Sequence, residues 1–232
     1  MLFHYPLTAT PCLIGGSEFT HILDKRDSKT YPVTKIGDQC WMAENLAYTT
    51  TTCLNEEWQE YNVTTNPYPS ACLVNGGIGW DQDEVLYQWG AAMDGDGEGG
   101  QGLCPVGWYI PTDDEWVDLE IAVCNHAGNA NCETTFPYGS GNSRGTDEGQ
   151  RLKSTSPNWD GTNAVGFSGL PAGFRFTSGG NPFNVGSDGY WWSSSPSSSD
   201  AWRRSLHSGD SDVLRGISSQ AYGNSVRCVL GP

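Results

Sequence analysis

Gly189-Tyr190-Trp191-Trp192-Ser193-Ser194-Ser195 and, further on, Ser225-Val226-Arg227-Cys228-Val229 bracket the last quarter of the chain. A Trp pair running into serines, and a closing run of alternating side chains, both have the form of packed strands. The stretch between them is Ala201-Trp202-Arg203-Arg204-Ser205-Leu206-His207-Ser208-Gly209-Asp210-Ser211-Asp212-Val213-Leu214-Arg215-Gly216-Ile217-Ser218-Ser219-Gln220-Ala221-Tyr222-Gly223. Ala201, Leu206, Val213 and Ala221 recur at intervals suited to short strands. The residues around them follow neither a helical nor a strand period. Two readings fit: a polar surface loop, or a binding face in which a rigid frame holds side chains chosen by a partner.

Working outward, residues 23–46 carry a hairpin signal. Tyr31, Val33 and Ile36 suit one strand, Gly37-Asp38 a tight turn, and Cys40-Trp41-Met42 a second strand, ahead of Ala43-Glu44-Asn45-Leu46. Residues 83–93 are a helix candidate, with Val85, Leu86, Trp89 and Met93 near helical spacing and Asp83 and Glu84 at the positive end. In Cys104-Pro105-Val106-Gly107-Trp108-Tyr109-Ile110-Pro111-Thr112-Asp113-Asp114-Glu115-Trp116, a short strand precedes a helix. Thr112 is its N-cap, and Glu115 three residues on completes a capping box. Trp116, Leu119 and Val123 then lie on one face. Leu152-Lys153-Ser154, Trp159 and Gly166-Phe167-Ser168-Gly169-Leu170-Pro171-Ala172-Gly173-Phe174-Arg175 lead into the C-terminal quarter.

These strings resemble the Fibrobacter major paralogous domain family. The frame W-S-S-S, A-x-x-x-x-L, V-x-R and A-x-G-x-S-V-R-C-V is also similar to the C-type-lectin-fold variable proteins of diversity-generating retroelements. The C-P-x-G-W-x-x-P-T-x-x-E-W string is shared, more distantly, with formylglycine-generating enzymes. The resemblance implies an α+β, C-type lectin-like fold with two helices, short antiparallel sheets and long loops. It would form one domain over residues 19–232 after an irregular lead-in at 1–18, with insertions or loops at 49–82 and 125–148 and a variable region at 187–229.

In the retroelement proteins asparagine codons are rewritten at their adenines, so the face changes while the frame persists. Such rewriting can yield Ser, Asp, Gly, His, Leu, Ile, Tyr or Arg among others, and never Glu, Lys, Gln, Met or Trp. The off-frame residues His207, Ser208, Gly209, Asp210, Asp212, Leu214, Gly216, Ile217, Ser218, Ser219 and Tyr222 fit the permitted set, and no Lys, Glu or Met follows Lys153. The ligand-binding face so implied comprises Trp191, Arg203, Ser205, His207, Ser208, Gly209, Asp210, Asp212, Leu214, Gly216, Ile217, Ser218, Ser219 and Tyr222. Trp191 belongs to it by position, since no asparagine codon yields Trp. The family also implies Cys104 paired with Cys228. Cys124 with Cys132 would close a short loop, Cys53 with Cys72 a longer one, and Cys12 with Cys40 remains; spacing by itself leaves other pairings open.

The chain has 232 residues and a formal net charge of −15, with 30 Gly and 13 Pro that favour a loop-rich fold over a helical bundle. Ten Trp, ten Tyr and seven Phe supply an aromatic core despite 37% hydrophobic residues. Strong acidity excludes a nucleic-acid footprint, which needs a basic surface. No apolar run approaches the roughly 18 residues that span a bilayer, so no membrane insertion is expected. Eight Cys without a C-x-x-C pair point away from zinc and toward disulfides in an oxidising compartment: extracellular, at a cell surface or displayed on a virion. Met1-Leu2-Phe3-His4-Tyr5-Pro6 does not have the form of a secretory signal.

Other chemistry is thinly represented. Asp94, Asp96 and Glu98 could gather around Ca2+, but the loop lacks EF-hand spacing and a solvated loop is the simpler reading. No cofactor is otherwise expected. Asn62-Val63-Thr64 has the glycosylation acceptor form. Neither a G-x-S-x-G elbow nor the redox cysteine pair of formylglycine-generating enzymes is present, which points to a protein that is not an enzyme. The expectation is a non-enzymatic protein that binds a protein partner, or a glycan as the alternative, on a cell or virus surface.

Overall fold

A computed structural model describes residues 11–49, 72–74, 85–155, 159–176 and 182–231. Among these the strands, in chain order, are β1 (Cys12–Ile14), β2 (Ser17–Phe19), β3 (His21–Leu23), β4 (Thr30–Ile36), β5 (Gln39–Met42), β6 (Cys72–Val74), β7 (Val85–Gln88), β8 (Trp108–Tyr109), β9 (Asn142–Arg144), β10 (Asp188–Ser197), β11 (Asp200–His207), β12 (Val213–Ser219), β13 (Gly223–Asn224) and β14 (Val229–Leu230). The helices are α1 (Trp89–Met93), α2 (Asp113–His126), α3 (Cys132–Thr135) and α4 (Glu148–Leu152). The class is α+β, built on small antiparallel sheets.

The hairpin read from the sequence is β4–β5, with Ile36 opposite Gln39 across the turn. Gly37 sits there at φ +60°, and a Cβ on it would lie 2.7 Å from the Ala122 Cβ of α2, so helix and hairpin touch through this glycine. The closing strand β14 lies between β5 and β8 in the order β3-β4-β5-β14-β8. The second large sheet runs β10-β11-β12-β9, and α2 packs against its inner face.

Four of the motif strings meet at one buried polar hub. Asn45 Oδ1 accepts from Trp191 Nε1 at 2.7 Å and from Arg227 Nη2 at 2.7 Å, while Arg227 also donates to the carbonyls of Met42 and Phe167. The Arg227 guanidinium lies 4.2 Å from the Phe167 ring centroid. A buried guanidinium needs such a full set of partners. Around it Trp41, Trp116, Phe167 and Trp191 form a chain of ring contacts at 4.9–6.0 Å.

The capping box of Thr112 and Glu115 is present, and α2 runs on to His126. Three of the expected disulfides form: Cys12–Cys40, Cys104–Cys228 and Cys124–Cys132. Cys53, the expected partner of Cys72, and Asn62 lie outside the described residues, as does most of the 49–82 insertion.

Several expectations need correction. The lead-in holds a hairpin, β1–β2, which crosses the expected boundary at residue 18. Residues 83–93 are not one helix. Val85–Gln88 is a strand buried at every position and paired to β6 and β13, and only Trp89–Met93 is helical. A short run buried on both faces carries no period that separates strand from helix. The 125–148 loop contains α3 and β9, which brings the helix count among the described residues to four instead of two. The aperiodic stretch after Ala201 forms two long strands, β11 and β12. Its alternation is masked because the inward positions include Arg204 and Arg215, where apolar residues would have marked the pattern.

Candidate functional site: the outer face of the C-terminal sheet

Pairing places Tyr190 opposite Ser205 and Ser205 opposite Leu214, while Trp191 lies opposite Arg204 and Arg204 opposite Arg215. Alternation therefore sends Tyr190, Arg203, Ser205, His207, Leu214, Gly216 and Ser218 to one face, and Trp191, Trp202, Arg204, Leu206, Val213, Arg215 and Ile217 to the other.

The inner face is closed by α2. Arg204 donates to Asp113 at 2.6 Å and to Glu120 at 2.5 Å; Arg215 also bonds Asp113, and Arg144 bonds Glu120. Arg215 stacks over the Trp202 ring at 3.6 Å. Burial would push the Asp113 carboxyl up, but hydrogen bonds from Arg215 and the Arg204 guanidinium hold it below the ordinary carboxylate range.

The outer face is polar and aromatic. Arg203 donates to Ser218 Oγ and Ser205 Oγ, both at 2.7 Å, with its guanidinium 4.9 Å from the Tyr190 ring centroid. His207 Nε2 lies 3.1 Å from Ser205 Oγ, and its Nδ1 lies 3.3 Å from Asp188 Oδ2. The same Asp188 oxygen accepts from Tyr190 Oη and Asn184 Nδ2. Burial, with that carboxylate beside it, pushes the Tyr190 phenol up to about 12, so it donates at neutral pH. From Tyr190 an aromatic patch extends through Phe174 to Phe176, Phe183 and Tyr222.

The turn from β11 to β12 carries exposed Ser208, Gly209 and Asp210 and half-buried Asp212. Its backbone is gripped from outside. The buried Lys153 ammonium donates to the carbonyls of His207 and Asp210, both at 2.6 Å, and pairs with Asp160 at 2.7 Å. Asp160 accepts from Gly209 N, Gly149 N bonds Ser211 O at 2.8 Å, and Ser208 N bonds Ser187 O at 2.7 Å. A Cβ on Gly149 would stand 2.0 Å from Asp212 O, so α4 meets the turn backbone directly. Apart from the Lys153–Asp160 pair, each of these contacts uses main-chain atoms of residues 207–212.

The fourteen residues expected on one face therefore divide. Arg203, His207, Leu214, Gly216 and Ser218 share the outer face, the turn carries Ser208, Gly209, Asp210 and Asp212 at its end, and Tyr222 joins the aromatic patch. Trp191 does not belong to it: it is wholly buried in the ring chain and bonds Asn45. Ser205 is also wholly buried, as a floor beneath Arg203 and His207. Ile217 and Ser219 point the opposite way from Leu214, because an odd step along a strand reverses the side chain; Ile217 is 46% exposed there. Gly209, at φ +83°, has a conformational role that most residue types would strain.

Sequence reading missed Phe174, Phe183, Asp188 and Tyr190 as members of the face, and Lys153 and Asp160 as its supports. The L-K-S string held the one available signal, a lone Lys in a motif of otherwise apolar and small residues. In the acidic loop, Asp96 accepts from Gly102 N at 2.9 Å and Glu98 from Ser195 Oγ. Those carboxylates tie the loop down, and among the described residues no three His, Cys, Asp or Glu side chains are grouped to hold a metal. Nor is any described helix long and apolar enough to cross a membrane.

The Fibrobacter succinogenes major domain family matches residues 34–230, which takes in the end of β4, β5 through β14 and the whole of the face. The chain belongs to this family. No curated protein and no solved structure matches it. The hub at Asn45, Trp191 and Arg227 and the Lys153 grip both lie inside the matched span of this Fibrobacter domain.

Proposed function

We propose that this Fibrobacter-family domain is a non-enzymatic recognition protein, of C-type lectin-like fold, whose β11–β12 turn and outer sheet face bind a protein partner outside the cell. In this reading it is a variable protein of a diversity-generating retroelement. The observation that carries the reading is the grip on residues 207–212 through main-chain atoms. A turn held by its carbonyls and amides keeps its shape whatever side chains it bears. Binding then loses little conformational freedom, and side-chain identity can follow the partner. The closing strand between β5 and β8 supports the lectin-like assignment. Disulfides at Cys12–Cys40, Cys104–Cys228 and Cys124–Cys132 suit an oxidising environment, and display on a cell or virion surface follows from the binding role.

Two enzymatic readings lose support. Asp188, His207 and Ser205 form a relay in the order of a serine hydrolase, but Ser205 is wholly buried and accepts from Arg203. A hydroxyl without exposure does not meet a substrate. Cys228, the one cysteine near the C-terminus, is spent in the bond to Cys104. A glycan-binding lectin remains the second reading, favoured by the Phe183 and Tyr222 rings, on which a sugar could stack.

The test is a display library of the intact chain diversified at Ser208, Asp210, Asp212, Leu214 and Ser218, selected against a panel of unrelated proteins. Folded members with distinct specificities are expected. A library that folds yet yields no binder, or a wild-type domain whose binding on an array is confined to glycans, overturns the protein-binding reading.

A further inference from the structure

Strand β11 carries consecutive arginines that point to opposite faces, Arg203 outward and Arg204 inward. Arg204 is neutralised by Asp113 and Glu120. Arg203 has no carboxylate within 4.0 Å among the described residues. Its protein partners are two serine hydroxyls and the face of Tyr190, and its remaining N–H donors have no partner among the described residues. It is half-buried, and removal from water pushes its pKa down. A partly desolvated guanidinium with no carboxylate in contact carries a cost that Asp188 and Tyr190 offset only in part, and an incoming anion relieves the rest.

The surroundings select the kind of anion. Asp188, the carboxylate whose charge acts on Arg203, is already engaged by His207, Tyr190 and Asn184. Gly216 keeps the space beside the guanidinium open: a Cβ there would stand 3.8 Å from Arg203 Nη2. Leu214 and the Tyr190 ring, with Phe174 packed against that ring, give the site apolar surroundings. We infer that Arg203 is the anchor of this face and takes the carboxylate of a partner's acidic side chain set beside an apolar residue, in an acidic-apolar peptide segment. The inference rests on the protein-binding reading above and sharpens it. The planar fork matches a carboxylate in a two-point arrangement that a lysine cannot reproduce.

The experiment pans a random-peptide display library on the intact domain and measures selected peptides by calorimetry, each with its Glu→Gln or Asp→Asn counterpart. Enriched peptides are expected to carry an acidic residue next to an apolar one, and neutralising it should weaken binding by about ten- to a hundredfold. R203M should abolish the difference between each pair and R203K should restore it only in part, with circular dichroism melting confirming that both variants fold. Enrichment without acidic residues, equal affinity within the pairs, or no enrichment overturns the inference. So does preferential binding of N-acetylneuraminic acid, a carboxylated sugar, included as a separate arm. If the diversified library of the previous section still yields protein binders, the general reading stands while this one falls.

Discussion

The two faces of strand β11 put the same side chain to opposite uses. On the inner face Arg204, with Arg144 and Arg215, closes a buried network on Asp113 and Glu120 of α2, and every member depends on the others. On the outer face Arg203 and His207 rest on a floor of Ser205, and the adjoining turn is held by its backbone. The difference teaches where sequence is free to change. A charge satisfied by specific side chains is fixed by its partners, whereas a turn fastened through main-chain atoms leaves its own side chains to solvent or a ligand.

The comparison breaks most visibly on the inside. Glu120→Ala leaves Arg144 without its carboxylate and Arg204 with Asp113 alone, and should cost about 3–5 kcal/mol, read as a lowered urea midpoint. Lys153→Met attacks the grip on the turn. Each carbonyl left unpaired should cost about 1–3 kcal/mol, and amide exchange should quicken over residues 207–212 ahead of the rest of the chain.

Acid provides a milder probe of the inner face. Because the Asp113 pKa is lower in the folded state than in the unfolded chain, its contribution is complete above the ordinary carboxylate value of about 4 and is lost as pH falls through the folded value. Stability should therefore drop on acidification below about pH 4, and Asp113→Asn, already destabilised at pH 7, should show a shallower drop. Gly209→Ala, at a positive φ, should cost about 1 kcal/mol by thermal melting. Asp210→Ala and Ser208→Ala, in the same turn, should each stay within about 0.5 kcal/mol.

Much of the scaffold was legible because its signals are local. The Thr112–Glu115 capping box, the β4–β5 hairpin and the Cys124–Cys132 closure each sit within a short window, and each is found. The face was only half legible. Its inner positions carry arginines whose partners lie on α2, about ninety residues away in the chain, so no local alternation of apolar and polar residues announces β11 and β12. Position in the motif also misled at Trp191, which proximity to the variable stretch put on the surface. Its indole is instead committed to Asn45, far off in sequence. Lys153 escaped notice as a support because the partners it holds in the turn are carbonyls, which leave no mark in residue identity.

The most direct test replaces Ser208, Asp210, Asp212, Leu214 and Ser218 together by Ala and compares the thermal unfolding of this variant with that of wild type and Glu120→Ala. The expected result is one cooperative transition within a few degrees of wild type for the five-site variant, about 1 kcal/mol or less, against a large loss for the single inner-face change. A five-site variant that melts as low as Glu120→Ala, or without cooperativity, would show that the fold needs those side chains and would contradict the account.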